Sequence, residues 1–112
     1  MASPQNGGRG TPVREPKAEV VRAIDESLGE LLGEPCSRAI YYYFQLRTSL
    51  RSEDVADRPE AFVGFLREMF RAGAQVIERR IAERLCARFG VDVRDVGGLD
   101  LVNLIKALTS KR

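Results

Sequence analysis

The sequence predicts an all-α fold: a compact bundle of about five amphipathic helices behind a disordered N-terminal tail. Three observations lead there. Apolar residues recur at spacings of three and four along most of the chain beyond residue 17, which is the helical period. Glycine, proline and aspartate fall where helix ends need them. The composition, 44% hydrophobic and 30% charged over 112 residues, is that of one globular domain. The expected division is a tail over residues 1–16 and a helical domain over residues 17–112.

The tail is rich in Gly, Pro, Ser, Asn and Gln and has no hydrophobic period. The first helix is expected from about Lys17 to Leu32. Its Val20, Val21, Ile24, Leu28, Leu31 and Leu32 share one face, while Glu19, Arg22, Glu26 and Glu30 point away from it. Gly33 is placed to cap it. The second helix opens at Pro35 and runs to about Arg47, with Cys36, Ala39, Ile40, Tyr43, Phe44 and Leu46 as its apolar face. A polar connection follows, in which Ser52 to Val55 suits a single helical turn. The third helix starts with Pro59 and Glu60 and repeats Phe62, Phe65, Leu66, Met69 and Phe70 on one face, making it the expected centre of the bundle. Gly73 is expected to end or kink it. The fourth helix runs from about Ala74 to Phe89 along Ile77, Ile81, Leu85 and Phe89, and Gly90 closes it. The segment from Val91 to Gly98 reads as extended or turn. Asp100 then caps a last helix, Leu101 to Thr109, with Leu101, Leu104, Ile105 and Leu108 on one side.

Several functional classes drop out on composition. The chain has no histidine, so Ser/His, Cys/His and histidine-metal chemistry are excluded. Two cysteines without histidine do not make a zinc site, and no cofactor or metal is expected. Cys36 and Cys86 both sit at apolar positions of expected helices and read as buried free thiols, with a disulfide linking two helices as the alternative. The longest apolar run, Ala39 to Phe44, is too short to cross a bilayer, and the N-terminus lacks a signal-like apolar segment, so a cytoplasmic protein is expected. Net charge is only +2, but residues 18–60 carry −4 and residues 61–112 carry +4. Such polarity suits head-to-tail self-association or an acidic partner for the basic half.

Two constellations stand out as candidate sites. Arg80, Arg84 and Arg88, with Arg79 beside them, form a cationic ridge along the fourth helix that could follow a phosphate backbone, extended by Lys106, Lys111 and Arg112. Against this, Glu83 can pair with Arg79 and Arg80, and a solvated, ion-paired face is the simpler reading of the spacing. Arg38, Tyr41 and Gln45 lie on the polar side of the second helix, where an exposed tyrosine beside an arginine suits a protein interface. On that reading, removing the Tyr41 ring leaves stability nearly unchanged. Glu78 falls inside the apolar arc of the fourth helix and is expected to reach solvent or a neighbouring arginine. Neither the glycines of the tail nor Gly97 and Gly98 form a phosphate loop.

Taken as a whole, Ile40, Tyr41 and Tyr42, then Pro59, Glu60 and Phe62, then Met69, Phe70, Gly73 and Ala74, then Ile77, Glu78, Ile81, Leu85 and Gly90 form a pattern. Over residues 23–108 it resembles a small archaeal helical domain family of unknown function. That family also occurs as the C-terminal output domain of archaeal signalling proteins. The chain departs from the pattern at Cys86, where an aromatic is usual. The resemblance implies an archaeal, cytoplasmic, regulatory role and carries no catalytic residue. The expected function is therefore a non-enzymatic regulatory or interaction module, binding a protein partner or itself as a homodimer. The alternative is a nucleic-acid-binding protein that uses the arginine ridge.

Overall fold

The structure, a computed structural model, describes residues 15–110. The expected tail up to residue 14, and the basic residues Lys111 and Arg112, lie outside them. Among the described residues there are five α-helices and no strand: α1 (Pro16–Leu32), α2 (Glu34–Thr48), α3 (Pro59–Phe70), α4 (Ala74–Phe89) and α5 (Leu101–Thr109). Single 3-10 turns occupy Ser52–Asp54, Arg71–Gly73 and Val93–Val96. The turn beginning at Ser52 and the five helices follow the sequence expectation closely. Val93–Val96 forms a closed turn, held at its start by the Asp92 carboxylate accepting from the Arg94 amide.

The helix ends have local causes. Gly33 and Gly90 take positive φ, 87° and 68°, beyond α1 and α4, where a side chain would be strained. Pro16 and Pro59 stand in the first turns of α1 and α3, where a missing amide costs nothing. Asp100 accepts from the Asn103 amide at 2.9 Å and caps α5. One corner differs from expectation. Gly73 has an ordinary φ of −65°. The reversal between α3 and α4 is made at Arg71, with φ 56° and ψ −127°. The chain must turn immediately after Phe70, two residues before a glycine is available.

α1 packs against α4, α2 and α5, and α3 packs against α5, α4 and α2. The core joins Val20, Ile24 and Leu28 of α1 to Phe62, Phe65 and Leu66 of α3, Ile81 and Leu85 of α4, and Leu104 and Ile105 of α5. Phe44 of α2 stands edge-on to Phe62, with ring centroids 5.3 Å apart, and tilted on Phe65 at 5.5 Å. Each such fully buried side chain contributes about 1.5–3 kcal/mol by leaving water.

α2 is seated differently from expectation. It turns Ser37, Ile40 and Phe44 into the core. Cys36, Ala39, Tyr43 and Leu46, four of the six residues expected on its buried face, are exposed. Cys36 is thus an exposed free thiol rather than a buried one, while Cys86 is buried and free as expected. Tyr41 moves the other way, from the expected exposed face to a half-buried position. Its ring stacks on Phe62 at 6.2 Å and its hydroxyl donates to Asp25 of α1 at 2.5 Å. The cause is rotation of the helix by the Phe44–Phe62–Phe65 cluster, which draws positions 37, 40, 41 and 44 inward.

Candidate interaction surfaces

The arginine ridge is where the spacing placed it, but Arg84 and Arg88 are turned onto α1 and partly covered, while Arg80 stays exposed at its end. Arg88 donates to Glu26 at 2.7 Å and to Glu19. Arg84 donates to Glu26 at 3.2 Å and to Glu30. Arg80 lies 3.5 Å from Glu30 and 3.9 Å from Glu83. Glu19, Glu26 and Glu30 fall on one line of α1 with Ala23, so α1 and α4 run antiparallel with a ladder of charge between them. Hydrogen bonding to Arg88 holds the Glu26 carboxyl below the usual carboxylate range, against a smaller opposing effect of burial. The bond to Glu30 raises Arg84, and the bond to Glu26 raises Arg88. Three guanidiniums meet three carboxylates, so this stretch of α4 presents no surplus positive charge.

Arg79 joins none of these pairs. It sits on the rim of a groove of about 450 Å³ between α4, the Val93–Val96 turn and the start of α5, with Ala82, Cys86 and Leu104 along its floor. Two of the polar groups around this groove, Glu78 and Asp100, are engaged within the fold. Glu78, 12% exposed, receives two hydrogen bonds from Arg67 of α3, at 2.9 and 3.0 Å. Asp100 is bound to its own helix. Burial pushes the Cys86 thiol up, with Asp92 adding to the shift, so the groove offers a thiol and not a thiolate. Glu78 therefore behaves as expected, reaching a neighbouring arginine.

A third surface is the outer side of α2; Met69, Val76, Val93 and Leu99 are exposed elsewhere among the described residues. Tyr42 is 61% exposed, Tyr43 48% and Leu46 62%, and Cys36 and Ala39 are exposed with them. At 100° per residue, these five and Pro35 fill an arc of about 120° that contains no charged residue. Tyr42 and Tyr43 meet edge-on at 5.4 Å, which holds both rings outward. Arg38 and Gln45, from the expected interface, are exposed on one flank of the arc. Arg47 is on the other, paired with Glu68 of α3 at 2.7 Å. The structure thus keeps Arg38 and Gln45 together, turns Tyr41 inward, and puts Tyr42, Tyr43 and Leu46 where Tyr41 was expected. The signal lay in the sequence. The apolar residues of the second helix span more of its circumference than one buried face needs.

Among the described residues no helix is long and apolar enough to cross a membrane, and no group of three or more His, Cys, Asp or Glu side chains is placed to hold a metal ion. No protein-family model matches this chain, and no curated protein or solved structure matches it. The archaeal resemblance thus stands on the sequence pattern alone.

Proposed function

We propose that this chain is a non-enzymatic interaction module that associates with itself through the outer face of α2. The observation that carries the reading is the uncharged arc of Cys36, Ala39, Tyr42, Tyr43 and Leu46 on a helix already seated in the core by Ile40 and Phe44. The large apolar side chains on that side are contiguous, as at interaction sites, and aromatic residues are favoured at interface centres. The non-enzymatic part is supported by the lack of histidine and by the burial of Cys86. The regulatory or signalling-output role rests on the sequence resemblance. Nucleic-acid binding, the second reading, loses its main support because Arg80, Arg84 and Arg88 are engaged by α1.

The exposed thiol of Cys36 provides a test. Its rate of modification by an aromatic disulfide reagent is expected to fall as protein concentration rises, because association covers it. A rate independent of protein concentration would count against the reading. Cys86, being buried, reacts slowly at every concentration and does not obscure the result.

A further inference from the structure

Resting on that reading, we infer that the second copy lies antiparallel on α2, related by a two-fold axis that passes level with position 41. Cys36, Ala39, Tyr43 and Leu46 are spaced three, four and three apart, the seam spacing of paired helices. The seam is also symmetric about position 41. In an antiparallel pair Cys36 is level with Leu46 of the second copy, and Ala39 is level with its Tyr43. Each large side chain meets a small one, so the Tyr43 ring packs over the Ala39 methyl and Leu46 over the Cys36 thiol. A parallel pair would set Tyr43 against Tyr43 and Ala39 against Ala39, alternating a clash with a void.

The flanks agree with the same arrangement. Arg38 lies close to the level of Tyr42 and Gln45 of the second copy and on the same side, so its guanidinium meets an aromatic face and an amide oxygen. The arc itself is uncharged, so two copies approach without like-charge repulsion across the seam. One helix face is small beside the roughly 800 Å² per partner of a standard interface, so the dimer is a weak, concentration-dependent one.

Cysteine cross-linking reads the register directly. In the antiparallel pair the two Cys36 residues are ten positions apart along the axis, about 15 Å, beyond the reach of a disulfide. Mild oxidation of the native chain at a concentration where it is dimeric is expected to give no Cys36–Cys36 link. The Leu46→Cys variant is expected to give a dimer joined twice, each bond running from Cys36 of one copy to the introduced thiol of the other. Residue 46 is exposed, so the substitution leaves the fold intact. A Cys36–Cys36 link in the native dimer, or a native dimer whose Leu46→Cys form does not cross-link, would overturn the register and leave self-association standing. A chain that stays monomeric by light scattering at every concentration would overturn both.

Discussion

Arg88 of α4 donates to Glu26 of α1 at 2.7 Å, across 62 residues of sequence. The pair belongs to a ladder in which the acidic first helix neutralises the basic fourth. The charge polarity of the sequence is thus satisfied largely within the chain.

The ladder makes stability depend on acid. The Glu26 carboxyl is lowered in the folded state, so its contribution is fully present above the ordinary glutamate pKa of about 4.3 and is lost as pH falls through the lowered folded value. Glu26→Gln is expected to melt below the native chain from neutral pH down to about pH 5, the gap closing as the medium becomes more acidic. A gap of constant size as the medium becomes more acidic would show that the glutamine acts through packing and not through charge. The groups are partly exposed, so the gap should be modest and shrink with salt.

Tyr41 belongs to the fold and not to the interface. Tyr41→Ala removes the stack on Phe62 and the bond to Asp25, and is expected to cost about 1–3 kcal/mol in denaturant unfolding. Its phenol is held well above its ordinary pKa by burial and by Asp25. A loss under about 0.5 kcal/mol would return Tyr41 to the surface.

At the α3–α4 corner, Arg71 carries a backbone conformation suited to glycine. Arg71→Gly is expected to raise stability by about 1 kcal/mol, the relief of strain outweighing the added freedom of the unfolded chain. A drop in thermal midpoint would mean that the arginine side chain contributes more than its backbone costs.

Most of the fold was legible in the sequence, and the reasons are local. Gly33, Pro59, Gly90 and Asp100 mark ends that short-range geometry dictates, and Phe62, Phe65 and Leu66 mark a face that only one side of α3 offers. What was not legible depended on distance or on choice. Glu19, Glu26 and Glu30 were visible as a line, and so were Arg80, Arg84 and Arg88, but nothing in their spacing says that the two lines face each other. On α2, apolar residues occupy both the inner and outer sides. Periodicity alone cannot say which side the core takes. The Phe44 cluster decides it, and with it the fates of Tyr41 and Cys36.

With the ridge occupied, random-sequence duplex DNA is expected to bind only weakly at low salt. The Arg80/Arg84/Arg88 triple alanine variant should lose stability without a matching loss of DNA affinity. Micromolar binding by the native chain that weakens steeply with salt and vanishes in the variant would restore the nucleic-acid reading.

The most direct test of self-association through α2 is the molar mass in solution, by light scattering across a wide concentration range, for the native chain and for Ala39→Arg. The exposed Ala39 tolerates the change in the monomer, while a guanidinium there would be buried unpaired in the dimer seam. The native chain should rise from 12.5 kDa towards twice that mass, with the variant staying at the monomer value and melting as the dilute native chain does. A native chain that remains at 12.5 kDa throughout, or a variant that dimerises as readily, would contradict the assignment of this face.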